Sequence, residues 1–485
     1  MITDFLLRHS KSPNVSFHMP GHKGDRLYRQ YGYGDFLDNV INCDITEIAG
    51  ADNLFQAEGV IKGTMDKYTR LYGVRQSYLL VNGTSGGIMA AIMASVPKGR
   101  KLLMARNCHK SVFNALLLAG IQPVYVYPEM VNGISGAIHN RHIEECLKAD
   151  EQIAGVILPS PNYYGICSDI GAIARICRKY HKVLIVDQAH GAHLKFFSQY
   201  APYLQLPKAA EECGADIVIN SIHKTMASMT QSAVLNLNSD RVDRYVLEDK
   251  LQMIQSTSPS YVLMASLDVN AELLMAYGHR LIEEWAANID WFEKEAARIP
   301  GLRVMKQKNL DRTKVNIDMS LYGINGQQLE ELLMARGIYT ELTTGNIVMC
   351  MSGIGNYRED FERLLGALEE IAALYPLVKA PKGIVERNAG LWNRQRELHP
   401  IPERSEWIPL KYSAGRICAS SIIPYPPGIP FLCPGERIDP KELEYIKELR
   451  QQGEKVIGVN DKAEVRVGII SGGIENGNAY EVDQG

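Results

Sequence analysis

The stretch Val183-Leu184-Ile185-Val186-Asp187-Gln188-Ala189-His190 places a carboxylate directly after four apolar residues. Comparable apolar runs recur along the chain, with helix-like segments between most of them, at Tyr78–Val81, Leu102–Ala105, Val124–Tyr127, Gly155–Leu158, Ile217–Ile219 and Ala233–Leu237. Continuous apolar strands that alternate with helices are typical of a mainly parallel sheet with helices on both faces. The sequence therefore predicts an α/β large domain built on a seven-stranded sheet.

The order of the predicted elements changes after residue 298. Beyond it the sequence predicts short strands and two helices, at Leu302–Met305, Lys314–Met319, Gln327–Ala335, Ile347–Met351 and Tyr357–Leu374. Pro376, Pro381 and Gly383 then mark a boundary, because proline and glycine interrupt regular structure. We therefore expect an irregular N-terminal arm at residues 1–60, the large domain at 61–298, a smaller α+β domain at 299–376 and a C-terminal α+β domain at 377–485.

Composition and charge argue against several classes of protein. The formal net charge is −3 over 485 residues, which gives no electrostatic reason to expect nucleic acid or a charged membrane as partner. The nine cysteines include no Cys-x-x-Cys pair, so neither a metal site nor a disulfide framework is predicted. No apolar run approaches the roughly 20 residues that span a bilayer, and the N-terminus matches a secretory signal poorly. We expect a soluble, cytoplasmic protein.

A run of small residues follows the first predicted strand. In Val81-Asn82-Gly83-Thr84-Ser85-Gly86-Gly87 the strand ends and an apolar helix begins. Free N–H groups at a helix start, together with two hydroxyls, form a cup suited to a phosphate. A plain strand-to-helix turn with hydroxyl caps is the alternative, so this motif does not decide the function alone.

Polar residues also follow other strands of the predicted sheet. Asp187 ends one strand, Lys224 lies in the Ser221-Ile222-His223-Lys224 segment after a second, and His109 follows a third. Taken singly, each residue could be a helix cap, a solvated charge or a core residue. Ligands of open α/β sheets bind beyond the carboxyl ends of the strands, so these groups are expected to meet at one edge. Together they suit pyridoxal phosphate (PLP): the cup anchors the phosphate, the acid keeps the ring nitrogen protonated, and the lysine holds the aldehyde as an imine.

These motifs resemble those of the ornithine/lysine/arginine decarboxylases, a PLP-dependent family with the aspartate-aminotransferase fold (fold type I). The resemblance extends from about residue 16 to about residue 440. The segments that carry it are His18-Met19-Pro20-Gly21-His22-Lys23-Gly24, Gly83–Gly86, Asn107–Ser111, Asp187–His193, Ser221–Lys224, Thr257–Ser260 and the turn Tyr425–Pro430. The His-x-Pro-Gly-His-Lys opening and the Ser-x-His-Lys core are specific to this family among fold type I enzymes.

The resemblance implies an enzyme that decarboxylates a basic amino acid, and it assigns roles to residues. Lys224 would bind the cofactor aldehyde, and Asp187 would pair with the pyridine nitrogen. His109 would stack on one ring face while Ala189 packs against the other. After carbon dioxide leaves, Lys224 or His223 would return a proton to Cα. The remaining cofactor contacts would come from Thr84, Ser85, Gly86, His190 and Ser221.

Several features depart from the family pattern or leave a choice open. Gln188 stands where the family commonly has glutamate, and Ser160–Gly165 stands where aminotransferases present an Asn-Pro pair to the cofactor phenolic oxygen. The chain begins close to the His-Met-Pro-Gly-His motif, so the N-terminal wing domain of longer members is expected to be absent. Compact members of this kind resemble arginine decarboxylases, and we expect arginine in preference to lysine or ornithine.

Two other functions compete with decarboxylation. An aminotransferase or another PLP lyase would use the same cofactor core. An aminotransferase usually needs an arginine for the substrate carboxylate, and Thr343–Asn356 contains none. A scaffold without enzymatic activity would have no need to retain Lys224, Asp187 and His109 together.

The segment Thr257-Ser258-Pro259-Ser260 precedes a predicted helix, Tyr261–Ala276. Its hydroxyls suit a phosphate, although the cup already supplies the donors that one chain can offer. The resemblance implies that Thr257 or Ser258 reaches the cofactor of a second subunit, so that the two-fold symmetry of a homodimer completes both sites. The alternative is that Ser258 or Ser260 caps the helix.

Overall fold

The computed structural model describes residues 1–131, 133–378, 391, 394, 396–425, 429–451 and 455–469. The chain divides into two compact units, residues 1–389 and residues 390–485. Within the described residues, no helix is both long enough and apolar enough to cross a membrane. All nine cysteines are free thiols.

The N-terminal arm contains regular structure, so the prediction of an irregular segment was wrong in this respect. Its elements are α1 (Ile2–Ser10), β1 (Val15–Phe17), α2 (Arg26–Gln30) and α3 (Gly34–Asp38). Val15 and Phe17 are buried while Ser16 between them is partly exposed, which is the alternation of a strand with one packed face. A strand of three residues is too short for this pattern to stand out in the sequence.

The large domain alternates strands and helices. Its elements are α4 (Val60–Tyr72), β2 (Gln76–Leu80), α5 (Gly83–Ser95), β3 (Lys101–Ala105), α6 (Lys110–Ala119), β4 (Gln122–Val126), β5 (Met130–Val131), β6 (Ile134–Ser135), α7 (Asn140–Ala149), β7 (Ile153–Pro159), α8 (Ile170–Lys179), β8 (Val183–Asp187), α9 (Leu194–Tyr200), β9 (Ile217–Asn220), α10 (Ile222–Thr225), β10 (Ala233–Leu237), α11 (Arg244–Ile254) and α12 (Tyr261–Ala296).

Seven of these strands form one sheet in the order β2-β10-β9-β8-β7-β3-β4. β10 is antiparallel to both of its neighbours, so the other six strands point in the same direction. All four residues of β9 are buried, as expected for a strand in a sheet covered on both faces. The predicted mainly parallel, seven-stranded sheet is confirmed, and its carboxyl ends define the edge at which ligands of such sheets bind.

The long helix α12 packs against α4, α9 and α14 (Arg358–Leu374). It extends 20 residues beyond the predicted end at Ala276 and runs through Gly278. A Cβ at Gly278 would lie 3.3 Å from a ring carbon of Tyr200, so the glycine allows the close approach of α9. Farther along α12, Trp285 is buried and donates from Nε1 to the Ser352 hydroxyl at 2.9 Å.

The small domain contains β11 (Arg303–Val304), β12 (Lys314–Asp318), α13 (Gly326–Met334), β13 (Ile338–Thr340), β14 (Leu342–Thr344) and β15 (Ile347–Met351), followed by α14. Four of its strands form an antiparallel sheet in the order β11-β12-β15-β14. β13 pairs with β1 of the arm in parallel, with Val15 opposite Ile338. The arm is therefore joined to the small domain by backbone hydrogen bonds.

The second unit contains β16 (Ser405–Pro409), β17 (Ile423–Tyr425), α15 (Pro440–Gln451), β18 (Lys455–Ile457) and β19 (Glu464–Gly468). β16 pairs with β19 and β17 with β18, both antiparallel. Phe431 and Ile446 belong to its buried core, and the buried pair Arg396–Glu442 lies within the same unit. Of the predicted turn Tyr425–Pro430, residues 426–428 lie outside the described residues.

Candidate active site

Four neighbouring strands direct polar residues to the carboxyl edge of the sheet. His109 follows β3, Tyr163 follows β7, Asp187 ends β8 and Lys224 follows β9. These four strands are adjacent and parallel, so the segments after them lie side by side. The edge therefore gathers His109, Asp187 and Lys224, which the sequence analysis singled out after separate strands, together with Tyr163.

Lys224 lies in α10, the single turn after β9, and its side chain is partly buried. Its Nζ lies 2.9 Å from His190 Nε2. Burial lowers the pKa of Lys224, and the negative charges of Asp187 and Glu341 oppose this effect. A lysine with a lowered pKa is neutral in a larger fraction of molecules, and the neutral amine is the form that attacks an aldehyde.

Asp187 is buried at the end of β8, where the Ala189 N–H donates to its Oδ1 at 3.1 Å. Burial raises the pKa of Asp187, and the positive charge of Lys224 opposes the shift. A buried carboxylate remains ionised only when a cation or several donors compensate it. A protonated ring nitrogen beside Asp187 would provide that cation.

His109 is the N-cap of α6 and has a partly buried ring. Its Nδ1 accepts from the Ser111 N–H at 3.2 Å and lies 2.9 Å from the Ser111 hydroxyl. Burial, together with the charges of Lys224 and Lys110, lowers the pKa of His109 to about 4. At neutral pH the ring is therefore an uncharged, flat surface with a fixed orientation, which suits stacking on an aromatic ligand.

His223 is also neutral at ordinary pH. Its Nδ1 lies 3.0 Å from the Ser232 carbonyl oxygen, to which it donates, and 3.2 Å from the Ser221 hydroxyl. Burial lowers the pKa of His223 to about 4, although the hydrogen bond to Ser232 opposes the shift. Because Nδ1 carries the ring proton and donates to the backbone, Nε2 is left as an acceptor.

The predicted phosphate cup lies at the N-terminus of α5. Gly83 has a positive φ of 64°, which lets the chain turn directly from β2 into the helix. The side chain of Asn82 does not cap the helix, so the first N–H groups remain available. No hydrogen-bond partner for the hydroxyls of Thr84 and Ser85 occurs among the described residues. Gly86 is buried, and a Cβ there would lie 3.3 Å from the Ile254 side chain.

Gln188 makes its hydrogen bonds away from Asp187. Its Nε2 donates to Glu211 Oε2 and Asn220 Oδ1, both at 2.9 Å, and its Oε1 accepts from the Ala210 N–H at 2.7 Å. Glu211 supplies the carboxylate of this buried network. Glutamine in place of the family's usual glutamate at position 188 therefore affects this buried network beside the site.

The His18–Gly24 motif of the arm packs against the loop that carries Lys224. The Gly21 N–H donates to the His223 carbonyl oxygen at 2.7 Å. A Cβ on Gly21 would lie 2.6 Å from the Met226 nitrogen, so only glycine fits there. The motif thus contributes to the shape of the lysine loop from a segment about 200 residues away in the sequence.

Two residues at the site were missed by the sequence analysis. The Tyr163 ring lies 4.6 Å from the His190 ring, and its hydroxyl donates to Glu341 Oε1 at 2.6 Å. Tyr163 lies in the Ser160–Gly165 segment, which was noted for its position, whereas Glu341 lies between two short strands of the small domain. No motif in the sequence marks Glu341.

The structure places Thr257 and Ser258 on the exposed segment before α12. Ser260 caps α12, because its hydroxyl accepts from the Leu263 N–H at 3.3 Å. The Ser258 N–H donates to the Ser256 hydroxyl at 3.1 Å. Within one chain, capping is therefore the role of Ser260, and the hydroxyls of Thr257 and Ser258 stay exposed.

Comparison with known proteins identifies similar chains over both units. The family described as "Orn/Lys/Arg decarboxylase, major domain" matches residues 2–317, and "Orn/Lys/Arg decarboxylase, C-terminal domain" matches residues 393–480. An arginine decarboxylase of Bacillus anthracis is 32% identical over 482 residues, with 94% of each chain covered. An arginine decarboxylase of Bacillus subtilis is 31% identical over 477 residues, again with 94% of each chain covered. The solved structure of Escherichia coli constitutive lysine decarboxylase has a TM-score of 0.75 at 22% identity, covering 96% of this chain and 81% of that one.

Proposed function

Because this chain belongs to the Orn/Lys/Arg decarboxylase family, we propose that it releases the α-carboxylate of a basic amino acid as carbon dioxide, with arginine as the preferred substrate. Its cofactor is pyridoxal phosphate. The observation that carries the proposal is the contact between Lys224 and His190 beside the buried Asp187. The relatives named arginine decarboxylase, 31–32% identical over most of the chain, support arginine.

The residues present fit this cofactor. The half-buried amine of Lys224 suits an aldehyde, the carboxylate of Asp187 suits a protonated ring nitrogen, and the uncharged ring of His109 suits a pyridine face. Thr84, Ser85 and Gly86 at the start of α5 suit the phosphate, and we assign Ala189, His190 and Ser221 to the remaining contacts. When bound, the cofactor supplies an electron sink for the bond to the carboxylate.

Asp187 contributes a fixed negative charge in a buried setting. Such a preorganised charge stabilises a cation on the ring nitrogen without reorganisation during the reaction. The Ala189 N–H holds the carboxylate in place, and burial strengthens the interaction because water does not screen it. The Ser111 N–H at the start of α6 fixes the orientation of His109, whose ring would stack against one face of the cofactor.

Lys224 is the better placed of the two candidate proton donors. The Nδ1 proton of His223 is donated to the backbone carbonyl of Ser232, and its low pKa leaves Nε2 unprotonated at neutral pH. The pKa of Lys224 is lowered by burial, so its ammonium releases a proton more readily than an ordinary lysine. We therefore assign the return of a proton to Cα to Lys224, with His190 holding the amine through its ring nitrogen.

A panel of amino acids tests the proposed function. Purified protein loaded with cofactor is incubated separately with arginine, lysine, ornithine and neutral amino acids, and both carbon dioxide and the amine product are measured. We expect release from arginine, with a kcat/KM at least about tenfold above that for lysine. Formation of a keto acid without carbon dioxide would instead establish an aminotransferase.

We also propose that the protein is a cytoplasmic homodimer in which Thr257 and Ser258 reach the partner's cofactor. The exposure of both residues leaves them available for such a contact, and free cysteines suit a reducing compartment.

A mixed-dimer experiment tests the contact across the interface. Chains with Lys224→Ala are mixed with chains carrying Thr257→Ala and Ser258→Ala. Contact across the interface leaves one intact site in each hybrid, so activity partly returns. No recovery in hybrids verified by mass, or a fully active monomer in the ultracentrifuge, would contradict this proposal.

A further inference from the structure

Glu341 is a half-buried carboxylate held in place by two uncharged donors. The Tyr163 hydroxyl donates to Oε1 at 2.6 Å, and the Met19 N–H donates to Oε2 at 3.0 Å. One donor comes from the large domain and the other from the arm, while Glu341 itself belongs to the small domain. Each carboxylate oxygen has a second lone pair and can accept a further hydrogen bond.

The negative charge of Glu341 has no cationic contact in the part of the chain that the structure describes. No lysine or arginine nitrogen among these residues lies within 4.0 Å of its carboxylate. Lys23 is the nearby candidate, but its Nζ donates to the carbonyl oxygens of His18 and Met351. A partly desolvated carboxylate without a cation is costly, and a cationic ligand that contacts both of its oxygens would offset that cost.

A continuous line of contacts connects Glu341 to the reactive lysine. Lys224 Nζ lies 2.9 Å from His190, the His190 and Tyr163 rings are 4.6 Å apart, and the Tyr163 hydroxyl bonds Glu341. The negative charge of Glu341 also acts on Lys224. The line passes through the rings of His190 and Tyr163, which lie against each other. Two side chains therefore separate Glu341 from Lys224, and the carboxylate is close enough to the lysine for its charge to act there.

We propose that Glu341 binds the cationic end of the substrate side chain and so selects basic over neutral amino acids. This inference rests on the proposed decarboxylation. A planar guanidinium can donate two parallel hydrogen bonds to the two oxygens of Glu341, which favours arginine over lysine at the same position. The alternative role is that of a brace, in which Glu341 only joins the arm and Tyr163 to the small domain.

Substitution of Glu341 by glutamine removes the charge and keeps the shape of the side chain. The readout is the ratio of kcat/KM for arginine to that for citrulline, a neutral isostere with a urea group in place of guanidinium. We expect Glu341→Gln to reduce this ratio by about 10- to 100-fold, mainly through KM for arginine, because one charged hydrogen-bonding pair is lost. The matched control is Glu330→Gln. Glu330 is also a partly buried small-domain carboxylate held by a neutral donor, Thr343, and its replacement should leave the ratio unchanged.

A binding measurement separates failure of this inference from failure of the proposed function. Calorimetry with agmatine, the amine formed from arginine by decarboxylation, reports cation binding without turnover. We expect the Kd for agmatine to rise at least about tenfold in Glu341→Gln and to stay unchanged in Glu330→Gln. If wild-type protein releases no carbon dioxide but the Kd for agmatine still rises only in Glu341→Gln, decarboxylation is ruled out while the binding of a cation by Glu341 is supported. An unchanged arginine-to-citrulline ratio, or an unchanged Kd with a lowered melting temperature, would establish a brace and overturn the inference.

Discussion

Replacement of Lys224 by alanine is expected to lower kcat for arginine by on the order of 10⁴- to 10⁶-fold, as the loss of a covalent nucleophile does. The variant should also lose the visible absorbance of the bound cofactor. The reason is that Lys224 carries the partly buried amine with a lowered pKa that contacts His190 at the sheet edge. Steady-state kinetics and an absorbance spectrum of the purified variant test both expectations.

The control for this variant is Lys182→Ala. Lys182 lies just before β8, at the opposite edge of the same sheet, and its Nζ donates to the Glu151 carbonyl oxygen. This variant should keep its colour and stay within about threefold of the wild-type kcat. A Lys224→Ala enzyme that retains more than a tenth of wild-type activity would assign the chemistry to another residue.

Asp187→Asn is expected to lower kcat by about 10²- to 10⁴-fold with a smaller change in KM. Asparagine keeps the shape of the side chain and the hydrogen bond from Ala189, but it removes the charge that stabilises the protonated ring nitrogen. The interaction is used most strongly during bond cleavage, so the loss appears mainly in kcat. Kinetics on cofactor-saturated enzyme measure the two parameters separately.

A matched control for Asp187 is available in the same sheet. Asp216 is also buried, but it lies before β9 at the amino edge and accepts from the Leu184 N–H at 2.7 Å and from Arg241. Asp216→Asn should lower the melting temperature while kcat stays within about threefold, because the lost charge pair is structural. Equal kcat values for Asp187→Asn and Asp216→Asn would make Asp187 a structural residue.

The sheet could be predicted because its strands are buried on both faces. Ile217–Ile219 form a continuous apolar run, and this pattern can be recognised in the sequence without knowing which strands lie beside it. Strands at the periphery give weaker signals. The strand Val15–Phe17 is only three residues long. Val15 pairs with Ile338, which lies 323 residues later in the sequence, so the pairing of the two strands depends on tertiary contacts.

The end of α12 illustrates a different limit. The sequence predicts the helix only as far as Ala276, whereas in the structure it continues to Ala296. A glycine inside a helix costs stability, and Gly278 lies two residues beyond the predicted end. In the structure Gly278 is inside the helix, where the missing Cβ lets Tyr200 approach closely. Packing between α9 and α12 thus outweighs local propensity, and the sequence of either helix alone does not contain that information.

The residues of the candidate site also include some that the sequence could locate and one that it could not. Asp187 and Lys224 could be picked out because Asp187 ends an apolar strand and Lys224 lies in the turn after another, and the topology then brings the strand ends together. Glu341 could not, because its partners are Tyr163, 178 residues away, and Met19, 322 residues away. Contacts between the arm, the large domain and the small domain leave no local pattern in the sequence.

The role of Lys224 is tested most directly by locating the covalent bond between cofactor and protein. Cofactor-loaded protein is reduced with borohydride, digested and analysed by mass spectrometry. We predict one major adduct, on the peptide that contains Lys224. Lys23 is the strongest competitor, because burial lowers its pKa to about 7 and it lies near Glu341. An adduct on Lys23, Lys314 or any other lysine, with Lys224 unmodified, would show that Lys224 is not the residue that binds the cofactor aldehyde.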